Sequence, residues 1–390
     1  MNRSIDDTIA GPEIRHFSDD FVLHQRIKLW AKYLAGCILI ISLLVLIGWQ
    51  FNISFLKRPI PRLVAMNPLT AILFACSGVS LFFLTARNRS SKNSTAGKIL
   101  AIFVLIIGAL QFISEVFNLN IPVDTFLFNN KLDQDTTGNI SSRMATGTAL
   151  NFMFAGFALL LLNFETSKEK MPSQLLAILI GLIGLLFVIG YIYGVNALYG
   201  ILVYVPMAVH TAACFLFLSM AILFVNSGKG VMKELTSPFN GSIVARFLIP
   251  AAIIIPILLG FIRLIATRKG YLPLELGVAL LVLSIIIIFL ILTWFIVLLI
   301  NKRDMVKQEA ENVLRQNEQQ VQMIFNAAPD AVIVINEEGK VIKWNPMAES
   351  ILGWRETEVL GKLLSDTIIP ERFREVHKKG LKHFLRTGEG

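Results

Sequence analysis

Apolar residues fill most of this chain in stretches of about 20, the length that spans a hydrocarbon core of roughly 30 Å as a helix. Short polar or Gly/Pro-containing segments such as "RNRSSKNSTAGK" and "NFETSKEKMP" separate them. The pattern predicts eight spans, over 32–50, 66–86, 97–117, 144–163, 172–194, 207–226, 243–267 and 274–300. Residues 1–31 are polar and charged, which does not suit a cleaved signal peptide and suits a cytoplasmic N-terminal segment. After Ile300 the apolar runs stop and a charged stretch without Gly or Pro begins.

One apolar sentence is written three times. "MNPLTAILFACSGVSLFFLT" starts at Met66, "MATGTALNFMFAGFALLLLN" at Met144 and "MAVHTAACFLFLSMAILFVN" at Met207. They share Met-x-x-x-Thr-Ala-x-x-Phe-x-x-x-small: Met66, Thr70, Ala71, Phe74, Gly78; then Met144, Thr148, Ala149, Phe152, Gly156; then Met207, Thr211, Ala212, Phe215, Ser219. At 3.6 residues per turn the Met, Thr, Phe and small positions fall on one helical stripe. Each copy is followed by an apolar run with a central glycine, Gly108, Gly184 or Gly260. The sequence therefore predicts three helical hairpins that enter the membrane from the same side, as parallel repeats around an axis along the membrane normal.

Such a stripe packs helices closely, because small residues admit a neighbouring backbone and a Thr hydroxyl can bond within its own helix. It could also frame a shared pocket. The candidate sensing residues are Met66, Thr70, Met144, Thr148, Met207, His210 and Thr211, with Asn67 and Asn151 in the same pattern. An ionisable residue at membrane depth is a functional suspect, so His210 ranks first among them. Glu115 and Arg263 fall at the same outer depth and could pair. Pro250 and Pro256 should kink the seventh span.

Composition narrows the class. Of 390 residues, 55% are hydrophobic and 16% charged, where a soluble chain carries about 25% charged residues. The net charge of +9 fits basic loops facing anionic lipid and argues poorly for nucleic acid. The loops are nearly balanced in Lys and Arg. The flanks decide: Arg15, Arg26, Lys28 and Lys32 before the first span, and Lys302, Arg303 and Lys307 after the last, place both termini in the cytoplasm. Cys37, Cys76 and Cys214 all lie in apolar runs without metal spacing, so neither a disulfide nor a zinc site is expected.

Over 301–325, Val306, Ala310, Val313, Asn317 and Ile324 follow alternating four and three spacing, with Gln320 interrupting. This is a short heptad pattern whose polar core position favours two strands, hence a homodimer. From residue 326 two β-rich runs, "AVIVIN" and "KVIKWN", flank an "EEG" turn. Short helices follow, ending in "PERFREVHKKGLKHFLRTG", opened by Pro370 and closed by Gly388.

Ala328-Pro329-Asp330, Gly339, Asn345, Ala348-Glu349, Leu352-Gly353, Leu360-Gly361 and Pro370-Glu371 through Glu389 carry a close resemblance to the first half of a PAS domain, the sensor fold of bacterial signalling proteins. The membrane part, with its "MxxxTA" hairpins and "YIYGVNALYG", is similar to the input region of bacterial PAS sensor kinases. The fold class implied is mainly α: a polytopic helix bundle of eight spans in a bacterial inner membrane, a linker helix, and a partial α/β PAS domain over 326–390.

A PAS core has five strands and only two are present. The resemblance therefore implies that the chain continues past residue 390 to an effector, a histidine kinase with its response regulator before a diguanylate cyclase or phosphodiesterase. No kinase, cyclase or helix-turn-helix motif occurs within the 390 residues, and no catalytic residue is assigned. A channel or transporter with a regulatory PAS domain is the alternative class. By resemblance His377 also stands where haem-binding PAS sensors place their iron ligand, although haem-free members read similarly there. A flavin-thiol photosensor is excluded, since the PAS segment has no cysteine.

Overall fold

The computed structural model describes residues 12–60, 63–86, 91–117, 119, 123–124, 132, 143–167, 169–194 and 207–388. The "VNALYG" part of the quoted 191–200 motif and Glu389 lie outside them. The chain forms two compact units, Met1–Leu292 and Thr293–Gly390.

The first unit is helical. Its elements are α1 Pro12–Gln50, α2 Ser54–Lys57, α3 Pro68–Thr85, α4 Ser91–Val116, α5 Thr146–Leu160, α6 Pro172–Tyr193, α7 Val209–Val225, α8 Gly230–Thr236 and α9 Asn240–Arg268, with α10 Leu274–Ala327 running on into the second unit. Each predicted span coincides with one of these helices. Among the described residues six are long and apolar enough to cross a membrane. The bend of 80° between α7 and α8 allows a seventh, and α5 is a shorter apolar helix.

The three helices that carry the repeated stretch, α3, α5 and α7, touch one another and form the inner layer. Around them α4 lies against α3 and α5, α6 against α5 and α7, and α1 against α7 and α3. The third outer place thus belongs to α1, not to the helix that follows the third copy. That helix, α9, packs on α8 and α6 instead. Gly260 of α9 admits the Tyr193 side chain, whose hydroxyl donates to the Ile257 carbonyl at 3.0 Å. Helix α9 continues through both Pro250 and Pro256.

The small residue of each stretch is where an outer helix crosses closely. A Cβ on Gly78 would lie 3.0 Å from the Leu39 side chain of α1, and one on Gly156 2.7 Å from the Leu105 backbone nitrogen and Cα of α4. Ser219 in the third copy instead donates its hydroxyl to the Ala177 carbonyl of α6 at 2.6 Å. From the outer side, a Cβ on Gly108 would lie 2.8 Å from the Met153 nitrogen, and Gly184 faces the Ala212 carbonyl at 3.2 Å. Both outer glycines therefore serve the inner helix that follows them in the chain.

The methionines differ from the expected stripe. Each helix starts two residues after its Met, at Pro68, Thr146 and Val209, so Met66, Met144 and Met207 sit in the extended approach. Two of their carbonyls accept from outside the inner helix. Trp49 Nε1 donates to Met66 O at 2.8 Å, and Tyr191 Oη to Met207 O at 2.5 Å.

In the second unit β1 Ile333–Ile335 and β2 Val341–Trp344 pair antiparallel, with Ile333 opposite Trp344. The turn between them needs Gly339 at φ +81°. Helices α11 Pro346–Leu352, α12 Glu356–Val359, α13 Leu364–Thr367 and α14 Glu371–Thr387 follow. Val341, Trp344, Ala348 and Val359 make the core of this unit.

Close packing makes a specific expectation. Gly156→Val pushes into the Leu105 backbone and should destabilise the detergent-solubilised protein by about 1–3 kcal/mol, the usual cost of overpacking. Gly36→Ala, where a Cβ meets nothing within 4 Å, should leave the melting temperature unchanged or raise it. Equal melting of the two variants would contradict the packing.

Candidate functional site

The inner helices meet at three aromatic rings. Phe74 and Phe152 have centroids 4.8 Å apart, Phe74 and Phe215 4.6 Å, and Phe152 and Phe215 4.9 Å, with interplanar angles of 62°, 58° and 60°. Tilted and edge contacts set the positive rim of one ring against the negative face of the next. All three side chains are fully buried. One helical turn towards the N-terminus of each helix, Thr70, Thr148 and Thr211 are buried too, as are Met66, Met144 and Met207 beyond them. The sequence-predicted residues are thus carried by three mutually packed helices around one aromatic cluster.

Two polar side chains in this layer stand out. Among the described residues, fully buried Asn151 has no hydrogen-bond partner for Nδ2 or Oδ1, and His210, 9% exposed, has none for Nδ1 or Nε2. An amide or imidazole taken from water without a partner costs on the order of 1–3 kcal/mol. Such groups point to a functional demand or to a bound molecule. Asn67 is accounted for: its side chain accepts from Leu69 N at 2.8 Å and caps α3. Ala145 and Ala208 hold the same place in the other copies and offer no cap.

Glu115 and Arg263 do not pair. Glu115 accepts from Gln111 Nε2 at 3.1 Å within its own helix, and Arg263 Nε has no hydrogen-bond partner.

Several polar groups that order this unit carry no signal in the sequence. Asp124 Oδ2 accepts from Met144 N at 2.9 Å, anchoring the approach to the second copy. Lys57 is buried over the Trp49 ring, 4.6 Å from its centroid, and donates to Asn52 at 2.7 Å. Burial, with Arg58 alongside, lowers its pKa below the ordinary lysine value. At the opposite ends of the inner helices, buried Gln174 donates to the carbonyls of Asn226 and Lys229 at 3.1 and 3.0 Å and accepts from Val231 N at 2.7 Å. Lys233 and Glu169 pair at 2.9 Å nearby, and this contact lowers the Glu169 pKa.

In the second unit the organising residue is Asn345, fully buried between β2 and α11. Its Oδ1 accepts from Val332 N at 2.9 Å and Ala348 N at 2.8 Å, while Nδ2 donates to Asp330 O at 2.9 Å and Phe325 O at 3.2 Å. Phe325 lies in the last turn of α10, whose carbonyls have no partner inside the helix. One side chain therefore joins the end of the long helix to the strand and helix of the small domain. His377 is half-buried on α14, and among the described residues no group of three or more His, Cys, Asp or Glu could hold a metal ion.

Comparison with known proteins bears on this unit. Residues 319–390 match the PAS fold family. The sensor protein FixL of Bradyrhizobium diazoefficiens is 29% identical over 83 residues, 21% of this chain and 16% of that protein. An uncharacterised protein of Azorhizobium caulinodans is 36% identical over 66 residues, 17% of this chain and 9% of its own length. The matches thus span a small part of these relatives. No solved structure matches the chain. A C-terminal PAS region and its likeness to a sensor protein support a signal-sensing role for a chain whose apolar helices are compatible with a membrane.

Asn345→Ala removes four hydrogen bonds and strands buried backbone groups, so it should destabilise the PAS region by about 3 kcal/mol. Limited proteolysis should cut near residue 326 much faster than in the parent protein, while the first unit stays resistant. Unchanged cleavage would show that Asn345 does not hold this junction.

Proposed function

We propose that this chain is the membrane-embedded input module of a bacterial signalling protein. The observation that carries this reading is α10, one unbroken helix that begins among apolar residues and ends hydrogen-bonded to the PAS region through Asn345. The exposed apolar faces support the membrane half. On α9 and α10, Ile262 is 61% exposed, Leu290 65% and Trp294 67%, a surface suited to lipid and not to water.

In this reading eight helices span the inner membrane with both termini in the cytoplasm. The short α5 and α7 complete their crossings through the extended residues before them. The three inner helices run parallel around an axis along the membrane normal. The stimulus acts at the inner layer, at a site framed by Thr70, Thr148, Thr211 and the methionines, with unpartnered His210 and Asn151 as its polar groups. A shift of the inner helices changes the state of α10, and Asn345 passes that change to the PAS domain. The output belongs to a downstream effector, a histidine kinase acting on a response regulator.

The linker favours a homodimer. Val306, Val313 and Ile324 are more than half exposed in a single chain, and the heptad spacing sets them on one side of the helix. Disulfide crosslinking of cysteines scanned along 301–325, in a background lacking the native cysteines, should peak at 306, 310, 313, 317 and 324. A flat profile would refute the paired helix. An uptake assay on the membrane half should show no transport; saturable uptake would favour the transporter class.

A further inference from the structure

The inner helices end, opposite their methionines, at a cavity of about 640 Å³. Three of its lining residues, Thr85, Asn163 and Asn226, are the last residues of the three repeated stretches. Lys28 and Lys32 of α1 line another side, and among the described residues no acidic one lines it. We propose that this cavity binds the phosphate headgroup of an anionic phospholipid, an assignment that rests on the membrane reading above.

Lys28 and Lys32 stand one turn apart, so both ammonium groups project from one face of α1. Like charges at that spacing oppose helix formation, and an anion between them relieves the repulsion. Asn226 uses one amide hydrogen on the Leu162 carbonyl at 2.6 Å and keeps a second for a phosphate oxygen. Thr85 donates to the Leu81 carbonyl at 2.7 Å, which leaves its lone pairs to accept from a headgroup hydroxyl.

The remaining walls include Leu29, Leu84 and Val225. A free phosphate has no use for apolar walls, whereas the glycerol and first methylenes of a lipid do. The volume falls within the range of about 300–1,000 Å³ usual for small-molecule sites. A lipid held here touches α1 and the ends of all three inner segments, the same helices that meet at the phenylalanine cluster.

The test uses the full chain purified in neutral detergent and native mass spectrometry. Phosphatidylglycerol should remain bound where phosphatidylcholine does not. Lys28→Gln with Lys32→Gln should weaken retention about 30-fold, roughly fivefold for each lysine near a lipid surface. Ala86→Trp, which fills the cavity and keeps both charges, should also abolish retention. Lys302→Gln with Lys307→Gln, which removes two charges beyond the last span, should leave retention unchanged.

Retention unaffected by either cavity variant would overturn the proposal. So would equal loss in the Lys302/Lys307 variant, which would mean general attraction of lipid to basic flanks. Full displacement by millimolar inorganic phosphate would make this a soluble-anion site and overturn the lipid assignment. Failure of the membrane reading is separately visible, as a chain that stays soluble without detergent. Gel filtration and melting of each variant check that the fold survives.

Discussion

Three phenylalanine rings packed within 4.9 Å of one another set the terms for the first unit. Rings can meet in this way only where three helices converge, and the inner helices touch one another around this cluster. Convergence leaves no room for side chains where the outer helices cross them. Gly78, Gly156 and Ser219 on the inner layer, and Gly108 and Gly184 on the outer one, answer that steric demand. If these helices cross a membrane, as proposed, little hydrophobic drive acts between them and such close contact carries the association. The polar groups at the two ends of the layer, Trp49, Tyr191, Asp124 and Gln174, then anchor the connecting backbone.

The same layer holds two buried polar side chains that remain unsatisfied. Asn151 and His210 are buried beside well-packed apolar neighbours with no hydrogen-bond partner, a local conflict that packing alone does not reward. A molecule that supplied the missing bonds would favour the helix arrangement that exposes them to it. Differential binding of that kind is what a sensor requires, because a ligand shifts an equilibrium only by its preference for one state. The small domain is built on a different logic. There one fully satisfied amide, Asn345, concentrates four hydrogen bonds where helix, strand and loop meet. A satisfied network of this sort rigidifies the junction between the long helix and the small domain.

Much of this architecture was legible in the sequence. Runs of about 20 apolar residues mark the helices because lipid demands that backbone groups be paired within each segment. Phe74, Phe152 and Phe215 were visible as shared positions of the thrice-written stretch, and those are the rings that meet. In the PAS region the β-rich runs "AVIVIN" and "KVIKWN" and the glycines at 339 and 388 placed the hairpin and the end of the last helix, since both glycines adopt positive φ.

Tertiary structure decided what periodicity cannot encode. That α1 is the third outer helix follows from contacts across more than a hundred residues. Chain order alone would have given that place to α9. Met66 and Met207 give their carbonyls to the indole of Trp49 and the phenol of Tyr191, partners that the local sequence does not name. Glu115 and Arg263, placed at one depth by the sequence pattern, bond elsewhere or not at all, because such a pattern says nothing of which face a side chain takes. The cavity beside Lys28 and Lys32 exists only where three segment ends and α1 come together. Local chemistry determined which segments are helices and which faces are apolar; the packing of those faces determined which polar atoms meet.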